Sequence, residues 1–187
     1  MTRVLGISGS LRRDSHNTNL LRAAAEAAGP DVELELYDGL KEIPPYDEDD
    51  DVVPRPASVA RLSSAIAEAD AALFATPEYN TSIPGQLKNA IDWISRPIAT
   101  NVLRNKPVAV VGASTGAFGA VWAQAELRKV LAALGARVLD VEVPVPHAHT
   151  RFENGVLTDD ESRLSVLEAV ESLAAEARVR ERLEAVA

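Results

Sequence analysis

Short apolar runs alternate along this chain with longer segments in which apolar residues recur every three or four positions. The short runs are Val4 to Ile7, Val32 to Tyr37, Ala71 to Thr76, Val108 to Gly112 and Val138 to Val143. Most are rich in Val and Leu, the composition of strands covered on both faces. Val32 to Tyr37 alone alternates, with Glu33 and Glu35 between Leu34 and Leu36, which predicts an edge strand. The longer segments predict helices with recognisable ends. The first starts near Asn17, carries Leu20, Leu21, Ala24 and Ala28 on one face and stops at Gly29-Pro30. The second carries Val59, Leu62, Ile66 and Ala69. In the third, Ser82 can cap, Pro84 sits in the first turn and Pro97 closes. The fourth runs from about Trp122 to Leu134 and stops at Gly135. The last opens on a capping box, Thr158 with Glu161, and predicts an inner stripe of Leu164, Leu167, Val170 and Ala174. Strand and helix in alternation predict βαβ units around a parallel sheet. With no repeat and no linker, residues 1–187 read as one domain.

Composition narrows the function classes. A formal net charge of −9 repels nucleic acid and anionic membranes at long range, so neither is expected as a partner. The absence of cysteine removes disulfides, thiolate nucleophiles and iron–sulfur clusters. The apolar stretch before Gly6 is too short for a signal-peptide core, and no run approaches the roughly 18 residues of a membrane span. A cytoplasmic protein is the expectation. The acidic stretch Asp47 to Asp51 is a solvated connection or a weak cation site.

Open α/β sheets bind ligands beyond the carboxyl ends of their strands, so the loops after strands one, three and four carry the chemistry. After strand one, Ser8, Ser10, Ser15 and Thr18 offer hydroxyls, Arg12 offers a planar cation, and a helix begins. These are the parts of a phosphate cradle. The plainer reading is that Ser15 or Asn17 only caps the helix. Neither the Walker pattern nor G-x-G-x-x-G is present, which favours a mononucleotide over a dinucleotide. Asp38 ends strand two, where a dinucleotide fold has its ribose-binding acid, but without those glycines it reads as a turn. After strand three, Pro77, Glu78, Tyr79 and Asn80 form a rigid loop with an aromatic ring. After strand four, the run from Gly112 to Gly119 lets backbone N–H groups approach a flat ring system. That run also spells G-x-S-x-G, the nucleophile elbow of a serine hydrolase, with Ser114, Asp140 and His147 or His149 as its triad.

At these three loops the sequence resembles the NADPH-dependent FMN reductase family, which includes quinone, azo-dye and chromate reductases. The likeness lies in Gly9-Ser10-Leu11-Arg12 with Ser15 and Asn17, in Pro77-Glu78-Tyr79-Asn80 followed by Ser82-Ile83-Pro84-Gly85, and in Ser114-Thr115-Gly116 with Gln124 and Arg128 behind it. It continues into Phe152, Gly155 and Leu157-Thr158-Asp159. The resemblance implies a flavodoxin-like three-layer α/β sandwich with a five-stranded parallel sheet of order 2-1-3-4-5. It implies an FMN phosphate on Ser10, Arg12, Ser15 and Asn17. The flavin ring falls against Pro77, Glu78, Tyr79 and Asn80, largely through backbone, and against Ser114, Thr115 and Gly116. NADPH or NADH is the co-substrate, a quinone, azo compound, metal oxyanion or free flavin the acceptor, and the kinetics ping-pong. No side chain is obligatory as acid, base or nucleophile. Relatives are homodimers or homotetramers, and the helices starting at Pro84 and Trp122 are candidate contacts. Two positions depart from the pattern: His16, where an aromatic residue is frequent, and Asp14, expected to face solvent or pair with Arg13. A flavin-binding electron-transfer or sensory module without NAD(P)H activity is the alternative, the serine hydrolase another.

Overall fold

The computed structural model describes residues 1–184. Its sheet is built from β1 (Thr2–Ser8), β2 (Val32–Tyr37), β3 (Ala71–Ala75), β4 (Pro107–Ala113) and two short segments, β5 (Arg137–Val138) and β6 (Val143–Val145). All pairs are parallel and the order is β2-β1-β3-β4-β5, with β6 also on β4. Every residue of β3 and β4 is buried, whereas β2 alternates between half-buried and exposed, as an edge strand does.

Helices α1 (His16–Ala27) and α6 (Asp160–Glu184) cover one face of the sheet; α2 (Ala57–Glu68), α3 (Gly85–Ile94) and α4 (Val121–Ala133) cover the other. A one-turn helix α5 (Ala148–Arg151) leads into a hairpin of β7 (Phe152–Glu153) and β8 (Val156–Leu157), which turns at Asn154-Gly155. The two faces are covered by two apolar clusters, one around Phe74, Leu87, Ile91 and Trp93, the other around Leu20, Leu73, Val111 and Leu173. The segment after β2 is stitched onto α3: Gln86 donates to Leu40 and Ile43 carbonyls, and Asn89 and Trp93 both donate to that of Pro44. Trp93 is therefore a core residue. In the acidic stretch, Asp47 caps a short 3₁₀ turn and Asp51 pairs with Arg55 at 2.7 Å.

Four local expectations are corrected. Strand five is not continuous: Val138 pairs with Val108 and Val143 with Val111, so five steps on one side face three on the other and Asp140 to Glu142 bulge out of the ladder. Ser82 does not cap α3; it pairs back onto Tyr79, and Pro84 holds the cap position. The cap of α6 is Asp159 rather than Thr158. Its carboxylate accepts from the Ser162 N–H at 3.0 Å and from the Ser162 hydroxyl at 2.6 Å, and these bonds hold it below the usual carboxylate range. The inner stripe of α6 runs through Val166, Ala169, Val170, Leu173, Ala174 and Ala177, leaving Leu164 exposed. No helix among the described residues is long and apolar enough to cross a membrane.

Candidate functional site

The parallel order sends neighbouring chains apart where β1 and β3 meet, one toward α1 and one toward α3, and the crevice opens there. An open cavity of about 190 Å³ lies in it, walled by the loops after β1, β3 and β4. Ser10, Arg12, Ser15, Asn17, Pro77, Glu78, Tyr79, Ser114 and Thr115 all face it, as do His16 and Ala113. Asn80 and Gly116 stand outside this wall. Asn80 is held at φ 53° in a two-residue turn with Thr81 at φ 61°, closed by hydrogen bonds between Tyr79 and Ser82. The Gly116 N–H is occupied by Ser114 Oγ at 3.1 Å.

The loop after β1 is organised by its hydroxyls. Ser8 Oγ accepts from the Ser10 N–H and from Thr18 Oγ1, Ser10 Oγ accepts from the Arg12 N–H, and Ser15 Oγ caps α1 through the Thr18 N–H. The N–H groups of His16 and Asn17 have no intrahelical partner at this helix start, and no acidic residue sits in its first turn. Arg12 is exposed and without an ion pair among the described residues, and Asp14 and Arg13 both face solvent without pairing to each other. His16 packs its ring 5.2 Å from Phe152, and its buried Nδ1 has no partner. Burial, then the charges of Arg12 and His149, hold it below the usual histidine range.

Two side chains tie the other two loops to the frame. Asn17, 3% exposed, grips the backbone of Ala113 at both ends: its Nδ2 donates to the carbonyl and its Oδ1 accepts from the N–H, each at 2.9 Å. Glu78 Oε2 accepts from the N–H groups of Trp122 and Ala123, both at 3.1 Å. This supplies the cap that α4 lacks locally, because Ala120 at its N-terminus is left-handed and has no capping side chain. The loop after β4 is zipped to the next segment by Ser114 N–H to the Val145 carbonyl, His147 N–H to that of Gly116 and Ala148 N–H to that of Ser114. Buried Gln124 donates to the Gly119 carbonyl and accepts from the Val143 N–H. Gly112 passes so close that a Cβ there would sit 2.8 Å from Gln124 Nε2 and 2.9 Å from the Thr76 carbonyl. Backbone also remains free on these loops: among the described residues the N–H groups of Glu78, Asn80 and Thr115 make no hydrogen bond, and the side chains of Tyr79, Asn80 and Thr115 are exposed.

The serine-hydrolase geometry is not assembled. Helix α4 does not begin until Val121, and neither exposed histidine, nor Asp140, forms a hydrogen bond with Ser114 among the described residues. The clamp of Asn17, the cap from Glu78, and the wall positions of His16 and Ala113 had no signal in the sequence pattern, because each depends on residues distant along the chain. The cavity suits a ligand with an anionic tail and a flat polar ring. The loop after β1 brings an unpaired guanidinium and the positive end of a helix, and the other two loops bring unpaired N–H groups beside Pro77 and an exposed Tyr79.

Comparison with known proteins agrees. Residues 2–150 match the NADPH-dependent FMN reductase family. An NAD(P)H-dependent FMN reductase of Pseudomonas aeruginosa is 43% identical over 173 residues, covering 91% of this chain and 92% of that protein. A 2-hydroxy-1,4-benzoquinone reductase of a Burkholderia species is 40% identical over 159 residues, covering 84% of this chain and 86% of its own length. Among solved structures, the flavoenzyme NAD(P)H:(acceptor) oxidoreductase FerB of Paracoccus denitrificans superposes with a TM-score of 0.83 at 34% identity, over 96% of this chain and 99% of that one.

Proposed function

The chain belongs to the NADPH-dependent FMN reductase family, and on that premise we propose that it is an FMN-dependent oxidoreductase which oxidises NAD(P)H and reduces a quinone, azo compound, metal oxyanion or free flavin by ping-pong kinetics. The observation that carries this reading is the meeting of three strand-end loops on one cavity, with a free cation from the first and free N–H groups from the other two. When bound, FMN supplies the two-electron carrier between the two half-reactions.

The residues of this chain bind and orient. Arg12, the α1 N-terminus, Ser10 and Ser15 hold the phosphate, with Asn17 contributing its N–H while its side chain fixes the strand end opposite. Pro77, Glu78 and Tyr79 would border the ring, and the free N–H groups of Glu78 and Thr115 would donate to its polar edge, where they stabilise the negative charge that develops on reduction. Asn80 and Gly116, outside the cavity wall, act by shaping the loops. The open face accepts NAD(P)H and then the acceptor, one after the other. Quinone reductases among the relatives make a quinone the first acceptor to test. Phe118 and Trp122, stacked edge to face at 4.9 Å and exposed, support a homodimer through the start of α4. Residues 1–187 are taken as one domain, the last three lying outside the described residues, working in the cytoplasm.

Calorimetric titration with FMN, followed by anaerobic mixing of the loaded protein with NADPH or NADH, tests this. Saturable binding, bleaching of the flavin absorbance and its recovery on adding quinone are expected, with parallel double-reciprocal plots in the steady state. A flavin that binds but stays oxidised identifies an electron-transfer module instead, and no binding defeats the reading.

A further inference from the structure

A second cavity, of about 300 Å³, lies at the carboxyl ends of β1 and β2, and Ser10 lines both it and the first. Its volume is at the lower end of the roughly 300–1,000 Å³ that small-molecule sites occupy. Its walls combine three chemistries. Leu11, Leu21, Leu36 and Leu40 form an apolar slot from the loop after β1, α1, β2 and the segment after β2. Arg22, on α1, and Lys41, on the segment after β2, also line it. Both are exposed and neither has a carboxylate partner among the described residues, although the chain carries a net charge of −9 and other basic side chains such as Arg55, Arg61 and Lys88 do pair with acids. Asp38 completes the rim at the end of the second strand. One of its oxygens meets Arg61 at 3.2 Å, but the side chain is 87% exposed and the other oxygen remains free.

An apolar slot, two cations without an acidic partner, of which Arg22 also donates to Asn19 Oδ1 at 2.6 Å, and an acid in the position where doubly wound folds hydrogen-bond a ribose hydroxyl are the parts needed for an adenosine phosphate. The neighbouring cavity of about 370 Å³ shares Leu36, Tyr37 and Asp38 but adds Glu33, Glu35 and Glu68, which oppose an anion. We propose that the cavity between α1 and the segment after β2 is a subsite for an adenosine phosphate group, joined to the phosphate cradle at Ser10. This rests on the reading that FMN fills the first cavity. Two molecules can bring that group: FAD, whose adenosine phosphate continues from the flavin phosphate, or NAD(P)H, whose nicotinamide half lies over the flavin.

The test uses AMP as probe, titrated calorimetrically into the FMN-loaded protein and into loaded Lys41→Glu and Arg22→Glu variants. Saturable binding in the wild type, weakened about tenfold in each variant as one charge-assisted contact is lost, is expected. Two further arms identify the source. If FAD is the source, FAD binds the flavin-free protein at least as tightly as FMN, and Lys41→Glu weakens FAD but not FMN. If NAD(P)H is the source, AMP competes with it and Lys41→Glu raises its KM while both flavin affinities hold. Failure of AMP to saturate, or equal binding to wild type and both variants, overturns the subsite. Failure of the FMN reading is separate, since the protein then does not take up the flavin at all.

Discussion

The loop after β1 and the loops after β3 and β4 face the same cavity but use their side chains in opposite ways. On the first, Arg12 reaches the cavity unpaired, and hydroxyls shape the backbone behind it. On the others, Glu78 caps α4 and Ser114 takes the Gly116 N–H, leaving the backbone N–H groups of Glu78 and Thr115 free beside an exposed Tyr79. Asn17 joins the two by gripping Ala113. On the proposed reading, charge recognition at one side depends on a replaceable side chain, whereas ring recognition depends on the frame that holds the backbone still. Riboflavin, which lacks the phosphate, separates the two.

The largest effect is expected from Asn17→Ala, which removes two buried hydrogen bonds and leaves the Ala113 N–H and carbonyl unpaired. A loss of about 2–5 kcal/mol in urea unfolding is predicted, together with weaker binding of both FMN and riboflavin. Next, Arg12→Ala should weaken FMN by about 1.5–3 kcal/mol in calorimetry at fixed salt and leave riboflavin unchanged. Equal weakening of both flavins contradicts the division between charge and frame. Glu78→Ala should cost about 1–2 kcal/mol of stability by uncapping α4, and should weaken FMN and riboflavin alike, with Glu78→Gln intermediate because it keeps an acceptor without the charge.

The smallest effect concerns pH. In the flavin-free protein His16 is held below its ordinary value by burial, Arg12 and His149, so the unfolded chain takes up its proton first. This contribution to stability is complete above about pH 6.5, the unperturbed histidine value, and declines as the pH falls toward the folded value. Melting temperatures measured from pH 7.5 down to about 5 should fall less steeply in His16→Phe. An unchanged slope places the pH dependence elsewhere.

Four of the five strands and all the long helices were legible in the sequence because each is announced by a local pattern: uniform burial in β3 and β4, alternation in β2, caps and stops around α1 and α4. Strand five was legible in place but not in its interruption, because the bulge follows from the register that β4 imposes on Val138 and Val143, and a partner strand leaves no periodicity. The site divided along the same line. Its hydroxyls, arginine and glycines sit in short contiguous motifs, and those motifs carried the family resemblance.

The chain's own pattern was therefore enough to establish the alternation of strand and helix and which loops follow strands one, three and four. It could not reveal that Asn17 meets Ala113 across 96 positions, that Glu78 caps α4 across 44, or that the cavity beyond Ser10 opens onto Arg22 and Lys41. Periodicity and capping are properties of neighbours in sequence. Hydrogen bonds between distant loops, and the cavities those bonds hold open, exist only once the folded sheet has brought the strand ends side by side.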